Sequence, residues 1–579
     1  VVPDAETNDN DRMTIRCSHV GRYTVHVCFI VAVTAAWSAD LLRGADRTTL
    51  LIPCPVATSP LPADAVYPDA AFADQEIAGW SQYMRLWRAH HDQPGDPAIR
   101  RYLGLPLTAD SDVRQQRGRS APRWLGWNTG SYQQYDTPHF VLYSRGDQAT
   151  SHRVAADLEQ CYWVWTQMFF PMWEGRRQVA ATIGQLPADQ SVSDFLAAHR
   201  TDRLTTRRKL RVVLFRNLQE YRQTITVPGA ERSTGFYNDS RKTMFLYAGD
   251  SDDVATRRHE LVHQLFREAT DSGLGDQLPG EHSEFWLIEG IAGYFESLFI
   301  AEDHATVGGW DSPRLQFARY RAFVMGDRMP FDELQRDGRL AAQQRPDIPR
   351  WYAHAITRTH HLIDGGHADG RRWIYQRLAE QYKLDPAIAA EAAPPTDEEA
   401  VLSFLSIDDD HLAANVPARP LSELCLAGCQ ITPRGLLHVR PSPQLNHLTL
   451  IGPTLDVAAI ERLICNPESI RQLNLERTGI DASIANLLRA CVQLSELDLS
   501  NTGVGDAAVQ ALDSAPRLTT LWLTGTKVSD AAITSIAGLP KLGDVDLQRT
   551  EVTAEGLDRL RRLRPELTIN PLQIQGVEP

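Results

Sequence analysis

His259-Glu-Leu-Val-His263 carries two histidines at i and i+4, with a glutamate directly after the first. On a helix both imidazoles leave the same face, about 6 Å apart along the axis, so both rings can reach one tetrahedral Zn2+. Glu260 lies beside that face, where it can take a proton from a zinc-bound water. Two neutral imidazoles and one carboxylate would hold the metal and leave a fourth position open. A water there, with a pKa of about 7, is a nucleophile at neutral pH, and the metal also polarises a carbonyl. Downstream, Glu289 stands alone among the apolar residues of Phe285-Trp-Leu-Ile-Glu-Gly-Ile-Ala-Gly-Tyr-Phe-Glu296. A carboxylate in such company has to be paired, hydrogen-bonded or on a metal.

The elements that must hold these groups can be read from periodicity. Asp252 to Glu268 reads as a helix with acidic residues in its first turn and an apolar stripe of Val254, Leu261, Val262, Leu265 and Phe266. Phe285 to Glu296 reads as a second helix. Thr234-Gly-Phe-Tyr237 and then Lys242-Thr-Met-Phe-Leu-Tyr-Ala248 read as a turn followed by a β-strand rich in β-branched and aromatic residues.

At these residues the chain resembles the gluzincin zinc metallopeptidases, the group of thermolysin and aminopeptidase N. Trp286-Leu-Ile-Glu-Gly-Ile-Ala-Gly-Tyr-Phe-Glu296 is similar to the W-L-x-E-G-x-A-x-Y-x-E segment of that group. The resemblance implies His259, His263 and Glu289 as zinc ligands and Glu260 as general base. A closer likeness is to secreted bacterial domains called peptidase MA-like. These begin with a His-Phe strand, here His139-Phe-Val-Leu-Tyr143, and end their core with a Tyr-led helix, here Tyr352-Ala-His-Ala-Ile. The likeness covers residues 129 to 415 and implies an α+β domain, a mixed sheet with metal-binding helices. It also implies that the strand before the metal helix is a sheet edge that accepts extended peptide through unpaired N–H and C=O groups. Phe245 and Tyr247 would then touch substrate, although the same strand could simply roof the core.

The resemblance casts Tyr352 as donor to the oxyanion of a tetrahedral intermediate; the plainer reading is a half-buried core tyrosine after Trp351. The aminopeptidase G-x-M-E-N stretch is absent, which favours an endopeptidase, and the spacing from His263 to Glu289 is longer than in that subgroup. The thermolysin-type N-E-x-x-S-D is absent too, so Gly293 stands where its outer aspartate would be. Glu296, two turns beyond Glu289, could hold a ligand histidine's outer nitrogen, as could a backbone carbonyl. His354, His360, His361 and His367 read as surface or core residues, and His282 as a candidate substrate contact.

The amino end suggests export. Arg16 and Arg22 precede the apolar run Val25 to Ala36, too short to span a bilayer comfortably, and small residues follow at Ala36, Ser38 and Ala39. Residues 1–39 are therefore read as a signal peptide or amino-terminal extension, with Met13 a candidate start. The expected location is secreted, or periplasmic in the cell envelope, with no stable membrane span. Of eight cysteines, Cys17 and Cys28 lie in that segment, Cys54 and Cys161 could pair or stay free, and Cys425, Cys429, Cys465 and Cys491 fall at positions that tend to be buried. No disulfide framework or second zinc site is indicated.

In the carboxyl third, L-x-x-L-x-L segments start at Leu421, Leu445, Ile470, Leu494, Leu518 and Leu542, recurring roughly every 24 residues as leucine-rich repeats do. Cys429, Thr478, Thr502, Thr526 and Thr550 follow as small ladder residues, segments such as 507–512 and 531–536 read as short helices, and Leu567-Thr-Ile reads as a half-repeat. Stacking buries one leucine core and leaves a curved parallel sheet, an α/β solenoid whose concave face could bind a protein partner. Exposed positions expected there are Glu423, His447, Glu496, Asp498, Trp522 and Asp546.

The division is then 1–39, a linker and helical extension over 40–128, a metallopeptidase domain over 129–415 and repeats over 416–579, with Ala400 to Val416 a last helix before them and Asp408 to Asp410 its cap-like acidic run. The length of 579 residues allows this. A net charge of −14 argues against a nucleic-acid binder, which wants a basic face. The reading is a secreted zinc peptidase acting on a peptide or protein substrate. The rival is a leucine-rich-repeat binding protein with a vestigial metal domain; a zinc hydrolase of non-peptide amides or esters is a third option.

Overall fold

The computed structural model describes residues 56–58, 61–62 and 77–571, apart from 108–112, 206–207, 226–233, 250–253, 301–304, 366–368, 386–396 and 418. The signal segment, Cys54, Asp252 and His367 lie outside the described residues.

The first unit is built on a six-stranded sheet of β1 (Arg114–Arg117), β2 (Gln133–Asp136), β3 (Phe140–Ser144), β4 (Leu210–Phe215), β5 (Gly235–Asn238) and β6 (Thr243–Tyr247), in the spatial order β1-β2-β3-β4-β6-β5. β3, β4 and β6 run parallel; β1, β2 and β5 pair antiparallel with their neighbours. Side chains alternate faces along a strand. Leu210, Val212, Leu214, Met244 and Leu246 therefore join the main core, while Val213, Phe215, Phe245 and Tyr221 form a smaller cluster on the opposite face.

Two expectations change here. The strand Thr243–Tyr247 is interior, and the edge is β5, folded back through a turn in which Lys242 takes a left-handed φ of 47°. Phe245 and Tyr247 point to the face away from the main core, with Phe245 1 % exposed, so neither forms a substrate edge.

Helices α1 (Trp80–Asp92) and α2 (Pro97–Tyr102) belong to the same core as the sheet: Trp80, Tyr83 and Trp87 are buried in it, and the Trp80 indole N–H donates to Gln167 O at 2.9 Å. Asp96 caps α2 by accepting from the N–H groups of Ala98 and Ile99. The long α3 (Gln148–Met168) crosses this core and meets α4 (Val254–Glu268), the helix of the two histidines.

Beside α4 lies α5 (Phe285–Phe295), whose residues are all buried. It packs closely on α7 (Ile348–Asp364), which follows the short α6 (Pro313–Arg319) in the chain. Glycines permit the approach: a Cβ on Gly290 would sit 2.2 Å from Thr359 Oγ1 and 3.0 Å from Ala355 O, and one on Gly293 would meet the tip of Ile356 at 2.3 Å. Gly290→Ala should cost about 1–3 kcal/mol of stability in urea unfolding. Gly293→Ala should cost a similar amount, because Ile356 is buried and β-branched and cannot readily turn away.

The helix expected over 400–416 is two, α8 (Glu398–Leu405) and α9 (Asp409–Ala414). Asp408 breaks it by taking an extended conformation and capping α9, accepting from the His411 N–H at 2.8 Å.

The solenoid then follows as seven parallel strands: β7 (Glu423–Cys425), β8 (His447–Thr449), β9 (Gln472–Asn474), β10 (Glu496–Asp498), β11 (Thr520–Trp522), β12 (Asp544–Asp546) and β13 (Thr568–Asn570). Leu424, Leu448, Leu473, Leu497, Leu521, Val545 and Ile569 stand in register and are buried. The ladder hydroxyls of Thr478, Thr502, Thr526 and Thr550 each donate to the carbonyl three residues back, at 2.6–2.8 Å. Asp498 and Asp546, expected on the exposed face, are 5 % and 3 % exposed. They stand on either side of Trp522 in register and accept the N–H groups of Ser500 and Gln548, and Asp546 also accepts from Thr524 Oγ1 and Asn570 Nδ2. Cys465 is exposed, whereas Cys161, Cys425 and Cys491 are buried free thiols.

Trp310, from the first unit, is 4 % exposed and belongs to the solenoid's hydrophobic core together with Ile407 and Leu412. Among the described residues no helix is long and apolar enough to cross a membrane.

Candidate metal centre

Period 3.6 puts His259 and His263 on one side of α4, with ring centroids 4.9 Å apart. The apolar stripe on the other side, Leu261, Val262, Leu265 and Phe266, is buried and anchors the helix. Arg257 and Arg258 fix its rotation: Asp157 of α3 accepts from Arg257 Nε at 2.7 Å and from Arg258 Nη2 at 2.7 Å.

Glu289 projects from α5 toward both rings. Its Oε2 lies 3.1 Å from His259 Nε2 and 3.6 Å from His263 Nε2, and ligand atoms of the three residues all fall within 4.8 Å of one another. A tetrahedron with metal–ligand bonds of about 2.0–2.1 Å has edges of about 3.4 Å, which the two distances to Glu289 bracket, so the three donors stand where one such ion could be held. The histidine side chains keep 14 % and 16 % exposure, while that of Glu289 keeps 6 %.

The second ring nitrogen of His259, Nδ1, lies 2.9 Å from Glu296 Oε1, which fixes the ring and directs Nε2 at Glu289. Burial works against a charge on His259, but Glu289 and Glu296 at its two nitrogens push its pKa up to about 10. Burial likewise opposes ionisation of Glu289, yet the two histidines hold its carboxyl well below the usual range.

Glu260, one residue on, is half-buried. Desolvation raises its pKa, while His263, His259 and the main-chain N–H of Tyr237 pull the other way. That N–H donates to Glu260 Oε2 at 2.8 Å, so the edge strand β5, not β6, touches the general-base candidate. Tyr352 is half-buried near the start of α7. Burial, together with the nearby charges of Glu289 and Glu260, holds its pKa well above the ordinary value.

The structure thus brings together His259, His263, Glu289, Glu260, Glu296 and Tyr352, and leaves Phe245 and Tyr247 elsewhere. His360 is buried 3.1 Å from Asp364, His361 is buried, and His354 Nε2 lies 3.2 Å from Asp327. His282 is exposed on the loop before α5. Two participants have no sequence motif: Tyr237, for which the hairpin turn before Thr243 is the signal, and Arg314, which reaches Glu296 from 18 residues away.

Fold and site together define a mixed α/β unit with a two-histidine, one-carboxylate donor set, continued by a leucine-rich-repeat solenoid. No protein-family model matches the chain, and no curated protein matches it. Solved structures similar to it are leucine-rich-repeat proteins. An internalin of Listeria monocytogenes is 17 % identical over 27 % of this chain and 48 % of its own, with a TM-score of 0.22. A leucine-rich-repeat protein of Leptospira interrogans is 20 % identical over 26 % of this chain and 37 % of its own, at 0.21. Internalin C2 of Listeria monocytogenes is 25 % identical over 29 % and 83 %, at 0.21. The match thus spans less than half the length of the first two.

Proposed function

We propose that the chain is a zinc-dependent peptidase, of the gluzincin kind that the sequence resembles, acting outside the cytoplasm on peptide or protein substrates. The observation that carries this is the convergence of His259, His263 and Glu289, with Glu296 behind His259 and Glu260 beside the open side. When bound there, zinc would supply Lewis acidity and acidify a water molecule.

Glu260 takes the proton of the attacking water and passes it to the leaving amine. Tyr352 donates a hydrogen bond to the oxyanion that develops on the scissile carbonyl. An extended substrate adds to β5, which has a neighbouring strand on one side only among the described residues. Such pairing takes over the Tyr237 N–H and frees the Glu260 carboxylate to act. The solenoid holds a protein partner, or a distant part of the substrate, on its concave face.

The test measures zinc per chain and cleavage of an unstructured protein such as casein, before and after chelation. The reading expects one zinc per chain, cleavage lost on chelation and regained with zinc. A chain that binds no zinc and cleaves nothing would instead be a repeat-based binding protein.

A further inference from the structure

The short helix α6 faces two ways. Toward the metal centre, Arg314 donates through Nε and Nη2 to Glu296 Oε2, at 2.7 and 2.6 Å, and the other oxygen of Glu296 holds His259. Toward the solenoid, Gln316 Oε1 accepts the main-chain N–H of Cys425 in β7 at 2.8 Å. Gln316 Nε2 and Arg319 Nη1 both donate to Trp310 O, at 2.7 and 2.8 Å, and Arg319 Nε donates to Leu405 O at 2.8 Å.

Arg419 closes the same seam. It donates to Ser297 O at 2.7 Å and Gly308 O at 2.9 Å, and its Nε lies 3.2 Å from Asp311. Gln316 and Arg319 are each 1 % exposed, so these polar groups are desolvated and would be costly to leave unpaired.

We propose that Arg314 is a positioning residue for His259, acting through Glu296, and that the first repeat, by seating on α6, sets where Arg314 stands. The repeats are thereby part of the support of the metal centre. This rests on the metal-centre reading above.

The physical chain is short. A histidine ligand is oriented by the group on its outer nitrogen, and Glu296 can hold one position only if its second oxygen is also held. Arg314 holds that oxygen with two N–H groups. The backbone that carries Arg314 is held two residues later by Gln316, bonded across the seam to Cys425, and five residues later by Arg319, bonded to Trp310 O and Leu405 O. Loosening the first repeat would let α6 shift and Glu296 rotate.

The experiment uses the full chain and reads zinc affinity by chelator competition, with the visible spectrum of the Co2+-loaded protein as a reporter of ligand geometry. Wild type is compared with Arg314→Met, Arg314→Lys and Gln316→Leu. Arg314→Met should weaken zinc binding about 10-fold and shift the Co2+ bands. Arg314→Lys should recover most of both. Gln316→Leu leaves every metal-side residue in place and should move affinity and spectrum in the same direction, by a smaller factor.

A folded Arg314→Met protein with wild-type affinity and spectrum overturns the positioning role. If Arg314→Met does not fold, Arg314→Gln takes its place, and wild-type affinity and spectrum in that variant overturn the positioning role. A change with Arg314→Met but none with Gln316→Leu overturns the part played by the repeat. A wild type that binds no zinc overturns the metal-centre reading itself, and that result is read without any variant.

Discussion

Replacing Glu260 with glutamine should leave zinc bound and slow peptide cleavage by about 10²–10⁴-fold, the usual contribution of a positioned general base. The substitution is close to isosteric. A glutamine carbonyl still accepts the Tyr237 N–H that Glu260 accepts at 2.8 Å, so β5 stays in place. What disappears is the capacity to take a proton. Because Glu260 is not among the three convergent donors, metal content should not change. Zinc content and steady-state cleavage, measured on the same preparation, check this. Equal cleavage by wild type and Glu260→Gln would remove Glu260 from the mechanism, and loss of zinc in the variant would mean that the glutamate helps hold the ion.

Asp157→Ala is expected to be the most destabilising change at the site's foundation, by about 3–5 kcal/mol, as when one partner of a buried ion pair is removed. The carboxylate is the shared acceptor of Arg257 and Arg258, whose side chains are 5 % and 12 % exposed. Without it, two guanidinium groups stay desolvated in the turn that leads into His259. Burial opposes ionisation of Asp157, but the two arginines win and hold its pKa below the ordinary 3.8. Its contribution is therefore complete above that ordinary value and is lost as the pH falls through the lowered one. Urea unfolding at neutral pH should show the full loss, and the gap between wild type and variant should narrow in strong acid. A gap below about 1 kcal/mol at neutral pH would mean that the arginines find other acceptors.

The helix of the two histidines was legible because its candidate ligands sit within five consecutive residues, and the repeats because each strand reuses one pattern. Glu289 was legible as a carboxylate that had to be used, since an apolar helix gives it no other reason to exist. What the sequence hid were relations across distance. Alternation shows that Phe245 and Tyr247 share a face, but not which face, nor that a tight turn brings Gly235–Asn238 back as the true edge. Asp498 and Asp546 occupy strand positions that alternate outward, yet each is tied to a main-chain N–H two residues on and stands beside Trp522, which leaves them little exposed. The Arg314–Glu296 pair joins two loosely spaced residues through a helix whose own pattern is unremarked, and only packing reveals it.

The seat of the solenoid on Trp310 has a consequence for how this chain can change over generations. A repeat array is sensitive at its first strand, where a leucine core would otherwise meet water. Here that strand is bonded to a glutamine of the preceding unit, which also lends a tryptophan to the array's core. Whole repeats can then be gained or lost among the later strands without touching the seat, altering the reach and curvature of the concave face while the attachment stays fixed. A single residue inserted between Asn415 and Glu423 is a different matter, since it shifts the entire array against its foundation. Length should drift freely in this protein, and the joint should not.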